Sequence, residues 1–196
     1  MAILTSFSRG ASICTEGTMW SGFESDVAKA ILEKIAFCQD QEVLLPEEVF
    51  NALALAKKNI ATELAVFNDK GEVYLVQRPS LDEKPLEPYP SKWSLPGTIH
   101  NKNDYPSTTL RRLEKMELGG AKIKKFHWAG QDDLEDEQRG MTHHIVIVAK
   151  TYQDPDSPRG RFYKIDEINH KEVIKNQSRY LLPLAIRMAR ELHWTS

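Results

Sequence analysis

The stretch "KWSLPGTIHNKNDYPSTTLRRLEKMELGG", Lys92 to Gly120, decides the reading of this chain. Trp93–Gly97 is a short extended piece. A polar loop follows, then a helix with Pro106 near its start, where the missing N–H costs nothing. Gly119 and Gly120 stop that helix.

Working outward, the segment before it reads as two strands. "IATELAVFN" and "EVYLVQR" are rich in β-branched and apolar residues, and a turn containing Asp69, Lys70 and Gly71 joins them as a hairpin. A Pro-rich loop, "PSLDEKPLEPYPSK", leads into Trp93, and its length marks it as functional or mobile. Beyond Gly120, "AKIKKFHWAG" and "HHIVIVAKTY" read as strands with an acidic loop, "QDDLEDEQRG", between them. "RFYKI" is a last short strand. "KEVIKNQSRYLLPLAIRMARELHW" is an amphipathic helix with a kink expected at Pro183. Upstream, Val27, Ala30, Ile31, Ile35 and Ala36 have helical spacing, and "LPEEVFNALALAKKN" reads as a second helix. Residues 1–22 show no period. Mixed strands and helices imply an α/β or α+β domain over 59–196, preceded by an arm and helices over 1–58.

Composition bounds the function classes. The chain has 196 residues, 41% hydrophobic and 28% charged, which suits a globular domain with a helical extension. A net charge of −2 gives no electrostatic case for nucleic acid or an anionic membrane. Cys14 and Cys38 form no CxxC pattern, so neither zinc nor a disulfide framework is expected. No apolar run reaches the roughly 18 residues of a membrane span, and the N-terminus lacks a secretory layout, so a cytoplasmic protein is expected.

With these elements laid out, "ELAVFNDKGEVYLVQRPS", "KWSLPG" and the loop and helix that follow resemble the Nudix hydrolase family over residues 60–195. The resemblance implies an α/β/α sandwich with a mixed sheet, and hydrolysis of a nucleoside diphosphate linked to another moiety. The family's box, G-x5-E-x7-R-E-U-x-E-E-x-G-U, laid on without gaps, keeps Arg112, Glu117 and Gly119, and places Asp104 at the first Glu. Thr98, Leu113, Glu114, Met116 and Gly120 depart from it. The family's helix carboxylates hold Mg²⁺ or Mn²⁺ against the diphosphate, because a hard dication takes oxygen ligands and lowers the pKa of an attacking water. Leu113, Met116 and Glu117 lie three or four apart and are expected to point together. That face carries three acids in a working box and one here.

The resemblance therefore implies a degenerate box. The candidate catalytic residues are Asp104, Glu114 and Glu117, with Glu114 and Glu117 as metal ligands. Arg78 suits bidentate phosphate contact. Gly97 and Arg112 complete the ligand-binding set, Arg112 orienting Glu117 or the "LPGT" carbonyls. Asp132, Asp133, Glu135, Asp136 and Glu137 are candidates for an added oxygen ligand or base. His100 could meet phosphate or metal; His143 and His144, adjacent in a strand, face opposite ways. Two functions follow: a pocket for a nucleotide or diphosphate with classical hydrolysis weak or lost, or an active divergent Mg²⁺-dependent pyrophosphohydrolase. Relatives often pair as homodimers, and the N-terminal helices are a candidate interface.

Overall fold

The computed structural model of the chain describes residues 22–40, 45–50, 58–101, 104–136 and 140–195. Cys14, the N-terminal arm, Glu137 and most of the expected second helix lie outside the described residues. The boundary between two compact units falls between residues 44 and 45. The first unit supplies α1, Gly22–Asp40. The second carries the strands.

β1 (Asn59–Val66) is buried at every position but Ile60. A strand covered on both sides must find apolar partners on both faces. Leu64 and Val66 enter one core with Tyr74, Val76, Leu113 and Leu118. Ala65 and Phe67 enter the other, with Val73, Leu75, Val146, Val148, Leu182 and Ala185. Two cores on the two faces of the strands make the layered α/β/α arrangement expected from the sequence. α2 (Pro106–Met116) covers one side through Leu113, and α3 (Leu182–Glu191) covers the other through Leu182, Ala185 and Ala189.

β1 pairs antiparallel with β4 (Gly97–Ile99) and parallel with β6 (Gly140–Thr151), and β5 (Ile123–Asp136) lies outside β6. A second sheet has the order β3-β2-β7, built from Trp93–Ser94, Val73–Gln77 and Gly160–Tyr163. The expected hairpin is thus corrected. β1 and β2 share only the Phe67–Val73 bridge and part into different sheets. The reason lies in the burial: Val73 to Val76 are all buried, and an apolar strand of this kind is satisfied between two layers rather than on a half-open hairpin.

Two further expectations change. The acidic loop is largely strand: β5 runs through Gln131–Asp136, held in register with β6 and anchored by buried Leu134. Asp132, Asp133 and Glu135 sit on exposed positions, where strand pairing leaves them in water. The C-terminal helix starts later than its apolar period suggested. A π-helical turn, Gln177–Leu181, leads into α3. The looser turn lets Pro183, which has no N–H to donate, stand at the start of the α-helical segment. No helix among the described residues is long and apolar enough to cross a membrane.

Candidate functional site

Residues from β2, the Pro-rich loop, the end of α2 and the approach to β7 converge on a cavity of about 190 Å³. Its lining includes Arg78, Lys84, Glu87, Ser94, Met116, Glu117 and Arg159. Three cations thus face two carboxylates.

Arg78 follows β2. Its Nε and Nη2 donate to the two oxygens of Glu87 at 2.9 and 2.8 Å. The Glu87 side chain is fully buried and that of Arg78 is 24% exposed, so the pair holds the guanidinium in a fixed pose at the cavity wall. Nη1 is not used in that fork. Lys84 stands 3.6 Å from Glu87 and 3.0 Å from Glu47. Arg159 pairs at 2.8 Å with Glu83, both in exposed positions.

Glu117 sits one residue past α2, as its C-cap. Burial raises its carboxyl pKa above the ordinary range. Glu63 adds to the rise, while Arg78 and Arg159 oppose it. Met116 beside it is exposed, whereas Leu113 is fully buried in the core. The three positions expected to point together therefore divide: Met116 and Glu117 line the cavity, and Leu113 packs under it.

Glu114 has other partners. It accepts from Lys122 Nζ and from the Ile123 N–H, both at 2.8 Å. Burial pushes its pKa up, but these bonds outweigh it and the carboxyl is held low. Asp104 likewise accepts from Arg112 Nη2 and the Asn101 N–H, both at 2.7 Å. Burial opposes ionisation there too and is overcome by these donors. Arg112 also bonds Thr98 Oγ1 at 3.1 Å and the Ile99 carbonyl at 2.8 Å, so it fixes the loop backbone and touches Asp104 rather than Glu117.

Gly97 lies on β4 opposite Glu63, and a Cβ built there would overlap the Glu63 carboxylate. Glu63, buried on β1, went unremarked in the sequence. Its Oε1 is 3.1 Å from His144 Nδ1, and its Oε2 accepts from Gln177 Nε2 at 3.2 Å. Gln177 accepts in turn from the Leu95 N–H at 2.6 Å. The signal is present: "IATELAVFN" holds one carboxylate in a largely apolar strand, which burial makes expensive unless it is paired. Lys84, Glu87 and Arg159 had no such signal, since loops place them.

The other candidates are placed elsewhere. His143 bonds Asp133 at 2.6 Å, on the opposite side of β6 from His144 as strand alternation requires. His100 lies 2.7 Å from Thr62 Oγ1, and burial lowers its pKa. Asp133 is also paired with Lys58. Among the described residues, no group of three or more His, Cys, Asp or Glu side chains is placed to hold a metal ion. With Glu114 and Asp104 engaged by cations and backbone N–H groups, the donor set does not fit a three-carboxylate Mg²⁺ or Mn²⁺ cage on α2.

No protein-family model and no curated protein sequence matches the chain. Solved structures do. A MutT from a study of Aliivibrio salmonicida and Vibrio cholerae superposes with a TM-score of 0.52 at 12% identity, covering 67% of this chain and 99% of that one. The Nudix domain of Shewanella oneidensis NrtR, complexed with ADP-ribose, gives 0.50 at 16% identity over 76% and 99%. An ADP-ribose pyrophosphatase of Streptococcus suis gives 0.50 at 17% identity over 70% and 96%. The chain has the Nudix fold.

Proposed function

We propose that the Nudix-like domain, residues 59–196, binds the diphosphate of a nucleoside diphosphate linked to another moiety, and that classical metal-dependent hydrolysis is weak or lost. The observation that carries this reading is the charge pattern of the cavity. Arg78, Lys84 and Arg159 line it, while two of the three candidate catalytic acids, Asp104 and Glu114, are neutralised inside the protein. A cavity of about 190 Å³ is smaller than the roughly 300 Å³ at which small-molecule pockets begin. It suits the diphosphate, with the nucleoside and the second moiety lying across its mouth. The folds bound to ADP-ribose or named for its pyrophosphatase make ADP-ribose the first ligand to try.

Arg78 is the principal ligand contact, as a pre-oriented guanidinium. Gly97 admits the Glu63 carboxylate beneath the loop, and Arg112 shapes that loop. Glu117 tunes the site: protonated, it leaves three cations against one carboxylate and strengthens anion binding. This binding requires no magnesium or manganese on α2.

The alternative is an active hydrolase. It draws on Glu117 alone of the three acids, because its raised proton affinity suits a general base or acid. The two readings separate by calorimetry and chromatography with ADP-ribose, nucleotide sugars and dinucleoside polyphosphates. Expected is saturable binding that persists in EDTA, with no metal-dependent product. Turnover in Mg²⁺ that Glu117→Gln abolishes overturns the loss of hydrolysis. Failure of every ligand to bind overturns the pocket.

A further inference from the structure

β5 ends the four-stranded sheet. β6 pairs with one side of it, and no described strand pairs with the other. Edge strands carry outward N–H and C=O groups that template pairing, and proteins blunt them with brevity, proline, lysines, bulges or cover. β5, Ile123–Asp136, is long and has no proline. Among the described residues its edge cover is slight, with Asn176 Nδ2 donating to the Glu135 carbonyl at 3.0 Å; two lysines and register shifts near Lys124 and Ala129 are its other protection. In its middle, Phe126 and Trp128 are 54% and 60% exposed.

The charges on this strand are segregated. Lys124 and Lys125 stand at one end, with Lys122 just before it, and Asp132, Asp133, Glu135 and Asp136 at the other. Ion pairs of the described residues engage Lys122 with Glu114, and Asp133 with Lys58 and His143. Lys124, Lys125, Asp132 and Glu135 form no ion pair within 4.0 Å with described residues. A second β5 laid antiparallel sets basic end against acidic end twice, whereas a parallel one sets like on like.

We infer that two copies of this chain associate through β5, edge to edge and antiparallel, about a two-fold axis within Phe126–Gly130. The four-stranded sheet continues across the axis. Phe126 and Trp128 of the two copies cover one another at the centre, and the charged ends flank them. The irregularity near Ala129 falls on the axis, so the two pairing arms lie on either side of it.

The test uses the full chain in sedimentation velocity. The wild type is expected to dimerise below about 100 µM. Lys124→Glu/Lys125→Glu places acid against acid, and Asp132→Lys/Glu135→Lys places base against base. Each raises the dissociation constant by at least about 30-fold. Mixed in equal amounts, they are expected to recover wild-type association to within about threefold, because both ends are then complementary. Circular dichroism confirms that each variant is folded. Should one misfold, hydrogen exchange on the wild type decides instead, with β5 amides protected at high concentration and released on dilution. A wild type that stays monomeric, a dimer that ignores both double substitutions, folded variants that fail to complement, or β5 exchange that ignores concentration each overturns the inference.

Discussion

Removing Arg78 separates its two contributions, because its anchor and its proposed ligand lie on different sides of the guanidinium. Glu87 has no exposed side-chain surface and receives two short hydrogen bonds from Arg78. Deleting one partner of a buried ion pair costs about 3–5 kcal/mol. Three features reduce that figure here. Arg78 is 24% exposed, Lys84 stands 3.6 Å from the same carboxylate, and the Tyr89 N–H donates to it at 3.4 Å. Arg78→Ala is therefore expected to destabilise the chain by about 2–3 kcal/mol. That lowers the melting temperature by roughly 5–10 °C. Adding Glu87→Gln replaces the stranded charge with an amide and recovers about half of the loss. Binding follows a different rule. A charge-assisted contact is worth about 1.5–3 kcal/mol, so ADP-ribose affinity falls roughly 10- to 150-fold in Arg78→Ala and stays low in the double variant. Urea midpoints give the first quantity and titration calorimetry the second. A double variant that binds as well as the wild type refutes ligand contact by Arg78. A single variant within about 0.5 kcal/mol of wild type refutes the buried pair as a structural element.

Glu117 has a folded pKa raised by burial, so its contribution to stability is complete below the unfolded carboxyl pKa and is lost as pH rises through the folded value. Glu117→Gln is accordingly expected to melt above the wild type at neutral pH, with the gap closing toward pH 4, and a gap independent of pH refutes this. Anion affinity of the wild type should rise as pH falls through the same transition, and that dependence should vanish in Glu117→Gln. Glu114→Ala strands the Ile123 N–H and removes the Lys122 pair, costing about 1–3 kcal/mol in urea unfolding with ADP-ribose affinity unchanged; a selective loss of binding would contradict its structural role. Gly97→Ala drives a methyl group into the Glu63 carboxylate and is expected to cost about 1–3 kcal/mol, read by thermal melting against the wild type; a melting temperature equal to the wild type's contradicts the close approach.

The local elements were legible where composition and period agreed. α2 has proline at its start and glycines at its end, and α1, β1, β2 and β6 have the apolar spacing of their class. What periodicity could not supply was the partner of each strand. β1 and β2 read as a hairpin from their turn, yet a strand apolar on both faces belongs between layers, and only long-range packing chooses which. The extension of β5 into an acidic segment was hidden because Asp and Glu disfavour strands, while an exposed edge position tolerates them. Glu117 and the loss of acid at Leu113 follow from the family's box spacing on the sequence alone. That spacing could not show that Glu114 turns toward Lys122, since that depends on where β5 begins. Arg78 was marked by its strand end. Its buried companion Glu87 lies in a loop whose path no local rule determines.

Gln177 has a consequence for the order in which the protein is made. Its amide joins Glu63, 114 residues earlier, to the Leu95 backbone, 82 residues earlier. Until that glutamine leaves the ribosome, Glu63 lacks one of its hydrogen-bond donors and is better left hydrated than enclosed. β1 also waits for β6, its parallel neighbour, to be synthesised. A nascent chain halted before Gln177 would therefore hold the loop and helix without the tie between Glu63 and the Leu95 backbone. A glutamine made well after the loop thus secures a backbone position read from the middle of the sequence.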